Sequence, residues 1–357
     1  MSSLAHQRLL QQGLVASSFQ TPAEVVAALG VVQAQDYPAA LWALGLRLPG
    51  TTAQMVEQSI ESRSVVRTWL MRGTLHFVTP GDVRWMLDLF APGVLAGSAR
   101  RYRELRLDEA TLARSSRLIA DAVQGGQTRT RSELFALLDA QGLDTPNQRG
   151  IYMLSRASYE GIIVQGVQKG RDPTFFALDE LPPARRLGRD EATAELARRY
   201  FTGHGPAALP DFVWWSGLRV SEARAGLEAV KSELEAETVD GQTFWRAPSQ
   251  GPAKPQAPAA FLLPAYDEFL IGYKDRSASL APEHAALVKN ANGLGATIIH
   301  DGCVIGTWTR ETKRAEMVIH ARPFEDWPAE SLGAVERAAE QYGAFHEKRA
   351  VVKLKDT

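Results

Sequence analysis

The order in which helix and strand patterns follow one another is the feature that most constrains the fold of this 357-residue chain. The clearest example runs from about residue 112 to residue 180. There the helix patterns ATLARSSRLIADAVQ, RSELFALLDAQ and PNQRGIYMLSRASYEG precede the β-runs IIVQGV and TFFALDE, which a polar, glycine-containing turn joins. Helix, helix, helix, hairpin is the order of a winged helix, so the sequence predicts such a unit here. The segment TRSE, from Thr130, is predicted to be a capping box at the start of the second of these helices.

The same order recurs on both sides of this segment. Between about residues 190 and 248, three helix patterns lead into LEAETVDGQTFWRA, in which Asp240-Gly241 is the favoured two-residue hairpin turn. The first 78 residues contain a less regular version, which ends in two apolar runs around Arg72-Gly73. The chain is therefore predicted to contain three winged-helix-like units in tandem.

The sequence changes character after these units. The stretch from 247 to 260 is rich in proline, alanine and glycine and is typical of a semi-rigid linker. Runs with β-character follow it, and a closing amphipathic helix, AESLGAVERAAEQYGAFHEKR, is predicted to end the chain. We therefore expect an α+β fold with a first unit at 1–110, further units at 111–185 and 186–248, a linker at 249–260 and a β-rich domain at 261–357.

Composition excludes several classes of protein. With 45% hydrophobic and 23% charged residues the chain is expected to be globular, and no apolar run approaches the length of a membrane span. The N-terminus lacks the apolar core of a signal peptide, so a cytoplasmic protein is expected, and it would be nucleoid-associated if it binds DNA. A lone cysteine, Cys303, excludes an internal disulfide framework and a cysteine-based zinc site.

Cationic residues are clustered although the formal net charge is only −1. That balance argues against a protein that is basic all over, but it leaves room for one basic face. A solvated surface is the ordinary explanation of any one cluster. In a winged helix, however, the third helix and the wing face DNA, and we expect DNA contacts from their cationic side chains, Arg149, Arg156, Lys169 and Arg171.

Two glutamines, Gln33 and Gln35, follow the apolar run LGVV and are themselves followed by Asp36. In extended backbone, residues two apart point to the same side, whereas in a helix they lie about 200° apart. A pair of amides that act together therefore has to lie on non-helical backbone. We expect this to follow the end, near Gly30, of a helix that starts near Pro22.

The segments LGVVQAQD, RTWLMRGTLHFV, LLPAYDEFLIGYKDR and VIGTW, in this order around a tandem of winged helices, resemble the AlkZ/YcaQ-like DNA glycosylases. The resemblance implies winged-helix units around a concave DNA-binding surface and a C-terminal β-rich domain. It implies monofunctional excision of bulky N7-alkylpurines, including interstrand crosslinks, without metal. No cofactor is expected, and a monomer that embraces DNA is the simplest oligomeric state. It also implies that double-stranded DNA is the partner and that Gln33 and Gln35 form the catalytic Gln-X-Gln motif.

Neutral amides suit this chemistry. Alkylation at N7 makes a purine cationic, so the base departs neutral and needs no general acid. A glutamine carbonyl oxygen can accept a hydrogen bond from the attacking water and place partial negative charge near an oxocarbenium-like sugar. Asp36 is the rival for this role, because a carboxylate could act as a base or stabilise the cation. Its place before Tyr-Pro is equally typical of a turn.

Several other residues have both a chemical and a structural interpretation. Acidic side chains in YDEFLIGYKD could suggest a metal site, but carboxylates around an apolar run are more often structural, and the set comprises Asp267, Glu268 and Asp275. His76 is expected on a strand as a satisfied, partly buried residue. The tryptophans expected in the core are Trp69, Trp214, Trp215 and Trp308.

A hairpin formed by TRETKRAE could probe the minor groove, and its cationic residues are predicted phosphate contacts. We call these residues, Arg310, Lys313 and Arg314, the hairpin cations. Two other functions stay open at this point. A transcription regulator could use the same winged helices without catalysis, and a small-molecule or protein-binding scaffold would fit the nearly neutral net charge.

Overall fold

A computed structural model describes residues 3–248, 259–290 and 293–355. Its mixture of helices and separate, mainly antiparallel sheets confirms the α+β class. Among these residues, no helix is both long and apolar enough to span a bilayer. The chain divides into two compact units, the first made of Met1–Val56 with Thr193–Thr357 and the second of Glu57–Ala192.

The described chain contains thirteen α-helices and fifteen strands. The α-helices are α1 (Ser3–Gln11), α2 (Pro22–Leu29), α3 (Tyr37–Gly45), α4 (Ala53–Glu61), α5 (Val83–Glu104), α6 (Glu109–Val123), α7 (Arg131–Ala140), α8 (Arg149–Tyr159), α9 (Arg189–His204), α10 (Leu209–Ser216), α11 (Val220–Val230), α12 (Glu268–Ile271) and α13 (Ala329–Phe345). The strands are β1 (Val32–Gln33), β2 (Val66–Trp69), β3 (Leu75–Val78), β4 (Arg129–Thr130), β5 (Ile163–Gln165), β6 (Thr174–Ala177), β7 (Glu235–Val239), β8 (Gln242–Arg246), β9 (Ala260–Leu263), β10 (Lys289–Asn290), β11 (Gly293–Leu294), β12 (Thr297–His300), β13 (Cys303–Thr312), β14 (Glu316–Pro323) and β15 (Arg349–Leu354).

The second unit contains the clearest predicted repeat. Helices α6, α7 and α8 precede the antiparallel pair β5–β6, as the sequence predicts. Thr130 and Glu133 cap α7 reciprocally, which confirms the capping box read from TRSE. The strands of this unit run in the order β3-β2-β5-β6-β4. The assignment of the segment to the winged-helix class stays a prediction.

The first unit contains the other regular repeat and a separate sheet. Helices α10 and α11 precede the hairpin β7–β8, whose turn has positive φ at Asp240 (50°) and Gly241 (78°), as an Asp-Gly turn of the favoured type requires. A five-stranded sheet in the order β15-β14-β13-β12-β9 follows in the sequence, and α13 packs on it. Helix α13 buries one face through Ala334, Val335 and Tyr342.

Three expectations need correction. The closing helix stops at Phe345, and residues after it form β15, which extends the sheet parallel to β14. Helix α8 starts at Arg149 rather than at the preceding proline, because Asn147 and Gln148 adopt positive φ. Trp214 is 46% exposed, since neighbouring helical residues lie about 100° apart and its neighbour Trp215 occupies the core position of α10.

The other tryptophans expected in the core are buried, and His76 lies buried on β3 with its Nδ1 3.0 Å from the Thr74 carbonyl oxygen. Most of the predicted linker, residues 249–258, lies outside the described residues. The two compact units divide the chain at 56/57 and 192/193, inside the predicted segments 1–110 and 186–248, so the two divisions differ, and the five predicted segments stay predictions.

Candidate active site

The Gln33-Ala34-Gln35 segment lies between two helices of the first unit. Thr21 caps α2, and Gly30, with φ of 79°, ends it by turning the chain away from the helix axis. Gln33 is the last residue of the short strand β1, and Gln35 lies in the bend that follows. The expectation that both glutamines lie on non-helical backbone after a helix ending near Gly30 is therefore confirmed.

Burial alternates along this segment. Ala34 is fully buried, Gln33 is partly buried and Gln35 is exposed. This is the pattern of extended backbone in which the two glutamines lie on the side opposite the alanine. Within the described residues, the buried Oε1 of Gln33 has no hydrogen-bond donor opposite it. An amide oxygen in this state retains its capacity to accept a hydrogen bond from another molecule.

Glu268 is buried directly against this segment. Its side chain is 1% exposed, and its Oε1 accepts a hydrogen bond of 3.0 Å from the backbone N–H of Gln33. Its Oε2 accepts one of 2.9 Å from Trp215 Nε1 and lies 3.2 Å from His204 Nε2. Burial alone would raise the pKa of this carboxyl, but His204 and the N–H donors outweigh burial and lower it. The group at this position is therefore a carboxylate.

Sequence reasoning missed Glu268, which it grouped with other acidic residues as structural. A signal was available in DEFLIGY, because a glutamate at the start of a fully buried apolar run has to find partners. Its neighbour Asp267 receives two hydrogen bonds from Arg47, of 2.8 and 2.9 Å. Among the residues that the structure describes, no group of three or more His, Cys, Asp and Glu side chains is arranged to hold a metal ion.

Asp36 caps the helix that follows the glutamines. Its Oδ1 accepts a hydrogen bond of 3.1 Å from the backbone N–H of Ala39, the third residue of α3. Asp36 also lines a pocket of about 230 Å³ with Trp42, Trp308 and Tyr342. The turn-forming role considered for Asp36 is thus observed as a helix cap, while a chemical role stays a prediction.

The hairpin cations differ in their surroundings. Arg310 lies on β13 and not in the turn, because this strand continues to Thr312. Its guanidinium donates a hydrogen bond to Tyr342 Oη and lies 5.7 Å from the centroid of that ring. Burial lowers the pKa of Arg310, and the Asp36 carboxylate opposes this effect. Lys313 and Arg314 are exposed at the tip.

The other predicted DNA contacts lie in the second unit. Arg149 donates to backbone carbonyl oxygens, including that of Asp144 at 2.8 Å. Arg156 pairs with Glu109 at 2.7 Å and Glu160 at 2.5 Å, so its charge is largely neutralised. The cationic residues of the predicted wing, in contrast, are exposed, and these are Lys169 and Arg171. The DNA-binding role of all four stays a prediction.

Known proteins resemble this chain over most of its length. A family model described as DNA glycosylase AlkZ-like matches residues 26–345. A protein of Streptomyces sahachiroi described as an interstrand DNA cross-link repair glycosylase is 27% identical over 356 residues, which cover 93% of this chain and 92% of that protein. The solved structure of Streptomyces sahachiroi DNA glycosylase AlkZ matches with a TM-score of 0.80 at 24% identity and 98% coverage of both chains, a similarity of fold.

Proposed function

Because the chain belongs to the AlkZ-like DNA glycosylase family, we propose that it is a monofunctional DNA repair glycosylase that hydrolyses the N-glycosidic bond of N7-alkylated purines. Bulky and interstrand-crosslinked adducts belong to the proposed substrates, since the relative from Streptomyces sahachiroi is described as an interstrand cross-link repair enzyme. The reaction is a hydrolysis that leaves an abasic site. The partner is double-stranded DNA, bound by a monomer.

The placement of the Gln33-Ala34-Gln35 segment carries this proposal. Two neutral amides flank a buried alanine on extended backbone. The side-chain oxygen of Gln33, Oε1, accepts no hydrogen bond from the described residues, so it is available to accept one from water. A cationic N7-alkylpurine departs as a neutral base, so the enzyme has to orient water and stabilise a developing sugar cation. Amide oxygens serve both needs without a proton transfer.

Gln33 and Gln35 are the residues proposed to orient the attacking water. Asp36 is the proposed source of additional negative charge near the sugar, although its Oδ1 already accepts the capping hydrogen bond from Ala39. The hairpin cations are proposed to contact DNA phosphates, with Lys313 and Arg314 exposed at the tip of the β13–β14 hairpin.

The test uses a duplex with one N7-methylguanine and, separately, a duplex with a nitrogen-mustard crosslink. We expect the purified protein to produce abasic sites that break only on treatment with alkali, as a monofunctional enzyme requires. The double variant Gln33→Ala/Gln35→Ala should bind the same duplex but lose turnover. The matched control is Gln124→Ala/Gln127→Ala, which removes two exposed amides from the second unit and should keep full activity.

Three results would contradict the proposal. Tight binding without abasic product on either duplex would favour the alternative function, a non-catalytic winged-helix DNA-binding protein such as a transcription regulator. A glutamine double variant as active as the control would remove the chemistry from this segment. A steep limb near pH 6–7 in the single-turnover rate would instead assign the chemistry to a titrating group such as Asp36 or a histidine.

A further inference from the structure

We infer that Glu268 is a positioning residue, which holds the Gln33-Ala34-Gln35 segment in the geometry that water activation needs. The inference rests on the proposed function. It starts from a single contact between residues 235 apart in the sequence, the 3.0 Å hydrogen bond from the Gln33 backbone N–H to Glu268 Oε1. The side chain of Glu268 has no path to solvent or DNA, since it is 1% exposed, so its effect has to act through the segment.

The surroundings of Glu268 require a carboxylate. The Gln33 backbone N–H and Trp215 Nε1 are obligatory donors, and they face different oxygens of Glu268. His204 Nε2 faces the same oxygen as Trp215, while His204 Nδ1 is buried without a hydrogen-bond partner among the described residues. That arrangement fits the tautomer in which Nε2 carries the proton. Only a side chain with two accepting oxygens satisfies all three donors.

The side chains that donate hydrogen bonds to Glu268, those of His204 and Trp215, are themselves packed among buried rings. The His204 ring lies nearly parallel to the Tyr200 ring, with their centroids 4.8 Å apart. The centroids of the His204 and Trp215 rings are 5.2 Å apart. All three of these rings are buried. A β-carbon added at Gly272 would lie 2.7 Å from His204 Cδ2, so the imidazole is also packed against the backbone that follows Glu268. The carboxylate is thus a fixed point rather than a mobile surface group.

Fixing the Gln33 N–H determines the orientation of both glutamines. In extended backbone the side chains alternate, so a rotation of the peptide at Gln33 would also turn Ala34 out of the core and Gln35 out of its position. A neutral amide gives no proton transfer that could compensate for poor placement. A displacement of about 1 Å in a group that orients a reactant costs on the order of 100-fold in rate.

Two substitutions separate positioning from simple filling of space. Glu268→Met keeps a similar length but removes both accepting oxygens. Glu268→Gln restores one accepting oxygen, but its NH₂ group has to face at least one obligatory donor. The matched control is Asp211→Asn, which alters another buried carboxylate of the same unit that accepts backbone N–H hydrogen bonds, here from Ala208 and Lys274.

Two measurements read the effect. The first is hydrogen exchange of the Gln33 amide in the free protein, followed by NMR, which does not depend on catalysis. The second is the single-turnover excision rate on the N7-methylguanine duplex at saturating protein, with the Kd for that duplex measured in parallel. Positioning changes the rate and not Kd, whereas loss of folded protein would lower the fraction of binding-competent protein.

We expect Glu268→Met to speed exchange of the Gln33 amide at least about tenfold and to slow excision about 10- to 100-fold with Kd changed less than about threefold. Glu268→Gln should lie between Glu268→Met and wild type in both measurements, and Asp211→Asn should match wild type. If Glu268→Met does not fold, Glu268→Gln alone decides the matter, since its one remaining oxygen cannot satisfy all of the donors.

A folded Glu268→Met protein with wild-type exchange at Gln33 and a wild-type rate would overturn the inference. Loss of activity in Asp211→Asn equal to that in Glu268→Met, at equal folded fraction, would assign the effect to general loss of a buried carboxylate and would also overturn it. If wild type forms no abasic sites, the proposed function fails. The exchange measurement then still shows whether Glu268 holds the segment.

Discussion

The buried ion pair between Arg47 and Asp267 gives the sharpest prediction about stability. Both side chains are 1% exposed, and the guanidinium and carboxylate form two parallel hydrogen bonds of 2.8 and 2.9 Å. Burial alone would lower the pKa of Arg47, but the Asp267 carboxylate overcomes this effect and raises it. Arg47 also donates to the backbone and side-chain oxygens of Gln12 and to the carbonyl of Ala43.

We expect Arg47→Met to lower the free energy of unfolding of the first unit by about 3–5 kcal/mol, because it leaves the Asp267 carboxylate buried without its cation. Asp267→Asn should cost a similar amount, since the guanidinium then lacks its counter-charge. The double variant should be more stable than the sum of the two losses implies. We expect a coupling free energy of about 2–3 kcal/mol, because each single change already removes the same ion pair.

Urea unfolding followed by tryptophan fluorescence measures these losses. Six of the eight tryptophans lie in the first unit, so this signal reports mainly on the unit that contains the pair. An Arg47→Met protein within about 1 kcal/mol of wild type, or additive single losses with no coupling, would refute the reasoning. Either result would mean that water or other groups replace the missing partner despite the complete burial of both side chains.

Three further predictions follow from local geometry and charge. Gly203→Ala should lower the unfolding free energy of the first unit by about 2–3 kcal/mol, because the new β-carbon would lie 2.3 Å from a backbone oxygen of α2. Gly333→Ala, in α13 of the same unit, should raise it by about 0.5–1 kcal/mol in the same urea assay, because the nearest atom to the new β-carbon would lie 3.7 Å away on the flexible Arg337 side chain. Replacing all hairpin cations with alanine should reduce the slope of log Kd against log salt by about 2–3 in fluorescence anisotropy, and an unchanged slope would exclude phosphate contacts there. Burial and two nearby cations lower the pKa of His346 from 6.5 to about 4. As the pH falls, the unfolded chain therefore takes up a proton at this residue before the folded chain does, which destabilises the folded state. Between pH 6.5 and pH 4, the free energy of unfolding of wild type should fall by ~1–2 kcal/mol more than that of His346→Phe. Equal losses in the two proteins would contradict this account.

Much of the fold could be predicted because its signals are local. The Asp240-Gly241 turn and the capping box at Thr130 depend on residues within a few positions of each other, and both are confirmed. The end of α2 at Gly30 also depends on a local signal, the glycine itself. Strand β15 was missed because a short run after a helix gains its stability from pairing with β14, and such pairing is not encoded in the run itself.

The site was only partly predictable for a similar reason. The two glutamines and their backbone conformation could be inferred from spacing, but the partner of Gln33 could not. Glu268 is 235 residues away from Gln33, and its other donors, Trp215 and His204, are 53 and 64 residues from it. No periodicity connects residues at such separations. The sequence shows only that a glutamate begins a buried apolar run, which predicts that it has partners without naming them.

These observations bear on how a glycosylase could work with neutral side chains. A titrating general acid or base contributes through its pKa as well as through its placement. An amide has no such property, and its whole contribution depends on where its carbonyl oxygen lies relative to the water. In this molecule a buried carboxylate, that of Glu268, lies behind the amides and accepts the hydrogen bond from the Gln33 backbone N–H. The charge of Glu268 thus holds the backbone that carries the two amides, and the proposed chemistry depends on the position of those amides.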